Sequence, residues 1–272
     1  VGPIFMISIL IAAILFSQKR STKMLALITI IDVGLYTFLF GGRYMIMKML
    51  LYFIFSFLIV HQGSVFNILR RRKSLVLFSI LLFILLIALT NLRGFSNKGF
   101  IGNVVIYYTG SFTYLSEIIK TKPWRDHLLW GTGIFGFIVN LISAASTVLF
   151  GIDFNGSNLV ITQITQHYIR IADTVPYNSM TTMLFPFLMD FGFLGVIIGT
   201  SVYAFAATKI EHYFYKRQTI FSLCLYVFMM FTIFDSVMNY SFLSPGSAVA
   251  IIFLYLFTSC PKIEKERIGL IG

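Results

Sequence analysis

The stretch 166–173 carries the side chains best suited to proton transfer in this sequence. His167, Arg170 and Asp173 follow one another at intervals of three residues, so they share one face if the stretch is helical. An imidazole accepts or donates a proton near neutral pH, and a neighbouring carboxylate or guanidinium tunes that exchange. We therefore expect His167 to be the first candidate for a general base and Asp173 the next. The alternative is the polar side of an interfacial helix.

Isolated arginines form a second group of residues suited to chemistry. Arg43 follows two glycines in a short turn, and Arg93 and Arg170 also lie outside the main clusters of basic residues. A guanidinium stays protonated and presents a planar fork of N–H donors that fits phosphate oxygens. We expect these three arginines to bind a diphosphate; the alternative for each is a side chain that extends to lipid headgroups.

Acidic residues and glycines within apolar runs form the third group. Asp190 is expected at the outer end of a membrane span, where the helix dipole favours a carboxylate. Asp235 lies near the outer end of another span, and its alternatives are a pair with an outer arginine, contact with a ligand, or a structural hydrogen bond between helices. Three glycines at i, i+3 and i+7 predict a smooth strip on which another helix packs closely: Gly192, Gly195 and Gly199.

The composition places all of these residues in a membrane protein. Hydrophobic residues make up 58% of the 272 residues and charged residues 11%, whereas a soluble domain carries roughly 25% charged residues. With 30 Phe and a mean hydropathy of +0.88, the apolar side chains cannot be hidden inside one soluble core. A soluble enzyme, a disordered tail and a disulfide scaffold are thereby excluded. The chain begins at Val1 within an apolar run and without a Met, so we expect N-terminal helices to be missing.

The basic residues set the expected topology. Of the 21 Lys and Arg residues, 13 lie in four clusters, and such residues mark cytoplasmic loops. The net charge of +11 therefore indicates inner loops rather than nucleic-acid binding. Within a single domain over 1–272, we expect an all-α, polytopic transmembrane helical bundle of about seven to eight spans, with the site on external loops at 92–99 and 151–183. The clusters are 18–23, 70–73, 209–217 and 262–267, and the clearest apolar runs are 3–17, 24–40, 44–60, 74–91, 186–207, 219–238 and 247–259.

Two apolar stretches, 100–118 and 128–150, leave the number of spans open. If both cross the membrane, 120–125 lies inside and 16 of the 21 basic residues are cytoplasmic, which the positive-inside rule favours. If both lie in the outer face or re-enter from it, 120–125 stays outside. His127, beside Asp126, is a weaker candidate for proton transfer because the crossing arrangement places it at the cytoplasmic side.

The sequence lacks the motifs of nucleotide-dependent and metal-dependent enzymes. Walker, Rossmann, HExxH and GxSxG patterns are absent, and the whole chain has only ten acidic residues. Cys224 and Cys260 have no metal-ligand spacing. We therefore expect metal-independent chemistry and no cofactor.

Four segments carry motifs of one family. Between 178 and 199 the chain shows Asn178, Thr181 and Thr182, and then Asp-Phe-Gly-x-x-Gly from Asp190 onward, entering a span. The aromatic segment 107–115 and the glycine-rich segment 130–136 precede it, and Gly42-Arg43 forms a turn near the start. In order and spacing, over about residues 41–200, these segments resemble the oligosaccharide repeat-unit polymerases of O-antigen and capsule synthesis, which are related to the O-antigen ligases.

This resemblance implies polymerisation of lipid-linked repeat units at the outer face of the bacterial cytoplasmic (inner) membrane. The donor is a growing glycan on undecaprenyl diphosphate, and a single lipid-linked repeat unit is the acceptor. The enzyme is then a metal-independent membrane glycosyltransferase whose diphosphate is held by the three arginines. His167 accepts the proton of the acceptor hydroxyl, with Asp173 and Asp190 behind it.

Further expectations concern sugars, partners and the alternative function. Tyr107, Tyr108 and Tyr114 are expected to stack on sugar faces, the alternative being an aromatic belt. The expected partners are undecaprenyl-diphosphate-linked glycans, membrane lipids, and chain-length regulator and flippase proteins, without nucleic acid. The alternative function is a transporter or flippase for lipid-linked oligosaccharides, although the duplicated halves common in transporters are not found.

Overall fold

The fold is given by a computed structural model, which describes residues 2–18, 23–40, 44–61, 84, 99–152, 156–167, 169–171, 175–177 and 181–259. Several residues and segments singled out from the sequence lie outside this described part of the chain. They are Arg43, Arg93, Asp173, Asn178, Cys260, the clusters 70–73 and 262–267, and the apolar run 74–91 apart from residue 84.

The described residues are mostly helical. Helices α1 (Gly2–Ser17), α2 (Lys23–Phe40) and α3 (Tyr44–His61) match the first three apolar runs. Then follow α4 (Gly99–Thr121), α5 (Gly136–Phe150), α6 (Ser157–Thr165), α7 (Leu184–Phe191), α8 (Phe193–Arg217), α9 (Ile220–Asp235) and α10 (Pro245–Thr258). Two 3₁₀ turns, Pro123–Arg125 and Ser241–Leu243, lie between helices.

A short hairpin replaces the helix expected over 166–173. Strands β1 (Ile169–Ile171) and β2 (Val175–Tyr177) pair antiparallel, with Ile169 opposite Tyr177. Because successive residues of a strand point to opposite faces, the helical spacing of His167 and Arg170 no longer places them on a common face. The helical conformation on which the shared face depended is therefore not present at Arg170.

Two of the predicted apolar runs are interrupted. The run 186–207 contains two helices, α7 and α8, which are separated at Gly192, where φ is +64°. In the run 128–150 the helix begins only at Gly136, because Trp130 (φ +52°) and Gly131 (φ +89°) adopt left-handed conformations that end any regular helix. Hydropathy alone does not detect either interruption, since the residues at both breaks are flanked by apolar side chains.

The chain divides into two compact units. The first comprises the described residues up to Asn103, with Ile210–Phe231 and those from Phe253 onward. In this unit α1 packs against α2 and α3. Lys48 of α3 is only 6% exposed, and its Nζ lies 4.7 Å from the ring centroid of Tyr44 and 5.0 Å from that of Phe231. The buried ammonium thus lies against two aromatic faces, where the ring quadrupoles attract it.

The second unit comprises Val104–Lys209 and Thr232–Ile252. Its centre is α7, in which every residue from Phe185 to Asp190 is buried. Phe187 packs against the start of α8, where a Cβ on Gly195 would collide with the carbonyl oxygen of Phe187 and one on Gly199 with its ring. The predicted close approach at the glycine strip is confirmed at these two positions, and the packing partner is the short helix α7.

One helix of the described residues, α8, is long and apolar enough to cross a membrane. It has 25 residues, and its most apolar window has a mean hydropathy of 1.6 with only 17% of the window buried. Six shorter apolar helical stretches of 10–17 residues accompany it. The large apolar side chains of α8 are therefore mostly outward-facing, unlike those of the core helix of a soluble protein.

Candidate functional site

The second unit contains a cleft made of two cavities that share part of their lining. The larger cavity, of about 610 Å³, lies between α4 and α6. The smaller cavity, of about 440 Å³, lies along the segment 125–130. His127 and Val160 line both cavities. Other polar residues of the lining are Glu117, Thr121, Gln163 and His167 in the larger cavity and Arg125 and Asp126 in the smaller one.

His167 enters the larger cavity from the end of α6. The helix ends at Thr165, and Gln166 still has helical dihedral angles, so His167 is the first residue to leave the helical path. Its side chain is exposed. The sequence prediction that His167 is available for proton transfer is compatible with this position, whereas Arg170 lies on β1 and is not part of the lining of either cavity.

Tyr114 fixes the backbone on which His167 stands. Its hydroxyl lies 2.9 Å from the carbonyl oxygens of Thr165 and His167, to which it donates its proton. The ring lies 5.8 Å from that of Tyr177 on β2, and Tyr114 has 0% exposure. Tyr114 is in the lining of the larger cavity, but its ring has no exposed surface on which a sugar could stack, and its observed contacts are packing and support of the backbone.

Asp190 is enclosed by the backbone of the segment that precedes α5. Its Oδ1 accepts hydrogen bonds from the N–H groups of Gly131 (2.9 Å) and Gly133 (2.8 Å), and its Oδ2 accepts one from Ile134 (2.7 Å). Successive N–H groups that converge in this way form a nest for an anion. Because Asp190 is completely buried, these three bonds offset the loss of its hydration.

Further contacts attach this segment, the 122–135 loop, to α7. The N–H of Leu129 donates to the carbonyl oxygen of Met189 at 2.9 Å, and Trp130 packs edge-on to Phe191 with ring centroids 6.1 Å apart. A Cβ on Gly133 would come within 2.6 Å of the carbonyl oxygen of Pro186. These contacts, together with the three hydrogen bonds to Asp190, attach the 122–135 loop to α7.

Asn140, which the sequence analysis did not single out, connects three elements around the cleft. Its Nδ2 donates to Ser157 Oγ at 3.1 Å and to the carbonyl oxygen of Leu243 at 2.8 Å. Ser157 Oγ in turn donates to the carbonyl oxygen of Thr132 at 2.8 Å. A lone amide in an apolar run is costly unless hydrogen-bonded, and that cost was the available signal in the sequence.

Tyr240 closes the other side of the 122–135 loop. Its hydroxyl donates to the carbonyl oxygen of Ile134 at 2.7 Å, and its ring lies 4.9 Å from that of Phe187. Burial raises the pKa of the Tyr240 phenol well above its ordinary value, and the nearby Tyr203 and Asp190 raise it further. The phenol consequently stays protonated and remains a hydrogen-bond donor.

Asp235 makes a structural contact near the same loop. Its Oδ2 accepts a hydrogen bond from Ser241 Oγ at 2.7 Å.

The cleft bears on the two arrangements expected for 100–118 and 128–150. If both segments crossed a membrane, Thr121 and His127 would be separated from Gln163 and His167 by about 30 Å of hydrocarbon. All four residues line one cavity. Moreover α5 has 15 residues, about 22 Å, and the N–H of Asn158 after it lies 3.3 Å from Asn140 Oδ1. These contacts do not fit two crossings, so the arrangement in which both segments lie in the outer face or re-enter from it is the one we carry into the proposal.

The remaining site residues stay predictions from the sequence. Arg43, Arg93 and Asp173 lie outside the described residues, as does the side chain of Tyr107. Tyr108 is partly buried beside Phe234, with ring centroids 5.7 Å apart. Within the described ranges, no group of three or more His, Cys, Asp or Glu side chains is placed to hold a metal ion. Comparisons of the chain with family models, curated proteins and solved structures find no match.

Proposed function

We propose that this protein is a polytopic membrane glycosyltransferase that polymerises undecaprenyl-diphosphate-linked repeat units at the outer face of the bacterial cytoplasmic membrane. The observation that carries the proposal is the cleft between α4, α6 and the 122–135 loop. It combines two exposed imidazoles, a guanidinium and several neutral hydrogen-bonding groups in one place. Those are the groups that a transfer between a diphosphate donor and a hydroxyl acceptor requires.

The distribution of polar and apolar side chains supports a membrane environment. On α5 the polar Asn140 and Ser143 are buried, whereas Val148 and Phe150 are 82% and 73% exposed. On α9, Ser222 and Thr232 are buried together with most of the apolar side chains, and Ile233 and Phe234 are exposed at its end. Apolar side chains that point outward and polar ones that point inward are stable in lipid and costly in water. We propose that the shorter apolar helices other than α5 are further membrane spans.

The proposed reaction uses His167 as the base. Its imidazole takes the proton from the acceptor hydroxyl, and the hydroxyl oxygen attacks the anomeric carbon of the donor glycan. The bond between that carbon and the diphosphate oxygen breaks, and undecaprenyl diphosphate leaves with the electron pair. Arg43 and Arg93 are proposed to bind the departing diphosphate, with Tyr107 and Tyr108 on the sugars. Arg170, which lines neither cavity, would reach the diphosphate only from outside the cleft, and Arg125 is the arginine in the lining. Asp173 remains a second candidate for the base.

Basic residues next to the cleft also support the proposal. Lys120, Lys122 and Arg125 are exposed; Lys120 forms an ion pair with Glu117 at 2.6 Å, and Arg125 lines the smaller cavity. In the proposed re-entrant arrangement all three lie on the same side as His167. Three cations at an outer surface oppose the usual distribution of charge. Basic residues at a surface attract an anionic lipid diphosphate, and this attraction is the role we propose for these residues.

Reconstitution in vesicles tests the proposed function. Purified protein is given lipid-linked repeat units in one leaflet, and both the length of the glycan and its leaflet are followed. The expected result is longer glycan on the side of addition, without movement between leaflets and unaffected by EDTA. Movement without lengthening would instead identify a flippase, and lengthening that is lost in EDTA and restored by Mg²⁺ would identify a metal site.

A further inference from the structure

His127 occupies the junction of the two cavities. It lines both of them, its side chain is exposed, and its backbone N–H donates to the carbonyl oxygen of Pro123 at 3.2 Å. The 3₁₀ turn Pro123–Arg125 packs against α7, and the 122–135 loop is fixed there by Asp190. An imidazole presented on such a rigid support keeps a defined position relative to anything bound in either cavity.

The two cavities differ in chemical character. The smaller one contains the cation of Arg125, the carboxylate of Asp126 and the 72% exposed indole of Trp130. The larger one contains Gln163, Thr121 and His167, which can hydrogen-bond hydroxyl groups, and Glu117. A guanidinium suits diphosphate oxygens, and amide and hydroxyl groups suit sugar hydroxyls. We therefore assign the diphosphate to the smaller cavity, at Arg125, and the acceptor to the larger one.

Resting on the proposed function, we propose that His127 is a second catalytic residue, the general acid that protonates the leaving diphosphate while His167 deprotonates the acceptor. The acceptor oxygen forms its bond to the anomeric carbon as its proton passes to His167. The bond from that carbon to the diphosphate oxygen breaks, and this oxygen takes the electron pair and the proton of His127. Exchange of one proton with water then returns both imidazoles to their starting forms.

The charged and titratable groups around His127 come from three parts of the chain. They are Tyr114 and Glu117 on α4, Arg125 and Asp126 on its own loop, and His167 after α6. Glu117 forms an ion pair with Lys120 at 2.6 Å. The lining residues contributed by α6 itself are uncharged.

The test is the pH dependence of polymerisation by His127→Gln, His167→Gln and the control His212→Gln in reconstituted vesicles. His212 is an exposed residue of α8 and lines neither cavity. The unchanged protein should show a bell-shaped profile, because one imidazole must be neutral and the other protonated. His127→Gln should lose the fall at alkaline pH and about a hundredfold in rate, whereas His167→Gln should lose the rise from acid pH. His212→Gln should retain the whole profile.

Binding provides a readout that does not depend on turnover. Diethyl pyrocarbonate modifies exposed histidines, and undecaprenyl diphosphate in the same vesicles should protect His127 and leave His212 reactive. If the unchanged protein polymerises but His127→Gln keeps its rate and its alkaline limb, the inference is wrong and the proposed function stands. Failure to protect His127 would likewise exclude it from the diphosphate site. If the unchanged protein does not lengthen glycan, both proposals are wrong.

Discussion

The carboxylate of Asp190 accepts three backbone N–H hydrogen bonds of 2.7–2.9 Å from the 122–135 loop and is shielded from solvent. A general base must reach its proton within hydrogen-bond distance, and a carboxylate whose oxygens both face a backbone nest does not face substrate. The resemblance implies that Asp190 is a further candidate for the general base, ranked after His167. The geometry of Asp190 supports a different contribution, which is to hold the loop that carries His127.

Asp190→Asn separates these two roles. The amide group presents N–H donors to a nest of donors, so we expect a loss of folding free energy on the order of 3 kcal/mol. The measurement is the thermal denaturation of the detergent-purified protein. Asp126→Asn, in the same loop but exposed, should change stability by no more than about 0.5 kcal/mol. Native stability of Asp190→Asn together with abolished polymerisation would restore the catalytic role.

Tyr114 offers a similar test at the other wall of the cleft. Tyr114→Phe keeps the aromatic ring but removes the hydroxyl that donates to the carbonyl oxygens of Thr165 and His167. If the role is packing, we expect a loss of about 1 kcal/mol in stability and weaker polymerisation, since His167 loses its support. Tyr255→Phe, at a 58% exposed position, is the control. If Tyr114 instead acted only by stacking on a sugar, its replacement by Phe would leave both measurements unchanged.

At the scale of elements, α7 and α8 form a close pair that depends on two glycines. Gly199→Ala places a methyl group into the ring of Phe187, and Gly195→Ala places one into its backbone carbonyl. The Phe187 carbonyl cannot yield easily, and its ring is buried and packed on both sides, so we expect losses of about 3 kcal/mol for Gly195→Ala and about 2 kcal/mol for Gly199→Ala. Gly34→Ala in α2, where nothing lies within 4 Å of the new methyl group, should be neutral or stabilising by up to about 1 kcal/mol. Equal stability of Gly199→Ala and Gly34→Ala, by thermal denaturation, would contradict this packing.

The same scale shows what the sequence can predict and what it cannot. Apolar runs predict α1, α2 and α3 nearly to the residue, because each run ends where polar or glycine residues begin. Hydropathy predicts one continuous segment over 128–150, yet its first eight residues belong to the 122–135 loop, whose left-handed residues and nest depend on Asp190 far along the chain. Hydropathy measures how apolar a segment is. It contains no information on which distant residue the segment contacts, so the loop could not be predicted from it.

Site prediction has the same limit. Residue type alone indicates His167, and the structure places it in the larger cavity. His127 is the weaker candidate in the sequence because the number of basic residues favours a cytoplasmic position for it. Asn140 and Tyr240 can only be recognised from their buried hydrogen bonds to Leu243 and Ile134. A sequence shows which residues have side chains suited to catalysis. It does not show which of them lie together on one side of a membrane, because that depends on how the helices and loops pack.

At the scale of the whole molecule, charge counting and packing give opposite answers for one segment. The count of basic residues favours 120–125 inside, yet the cavity lining joins Thr121 and His127 to Gln163 and His167. Direct contact is the stronger constraint, because the positive-inside rule is a statistical bias over short loops and a few outer cations do not reverse a topology. Under the proposed function, the cations at 120–125 lie outside against this bias, next to the proposed diphosphate site.

Impermeant-maleimide labelling of single cysteines in intact cells tests this topology. Lys122→Cys and Gln163→Cys, both exposed positions near the cleft, should react from outside in a background in which Cys224 and Cys260 are replaced by Ala. Glu211→Cys near the cluster 209–217 should react only after the cells are permeabilised, which controls for leakage. The two-crossing arrangement predicts that Gln163→Cys reacts and Lys122→Cys does not, so the pair distinguishes the arrangements at one step. If neither reacts in intact cells, the cleft faces the cytoplasm. Transfer at the outer face would then be excluded, because lipid-linked substrates there would have no access to His127 or His167.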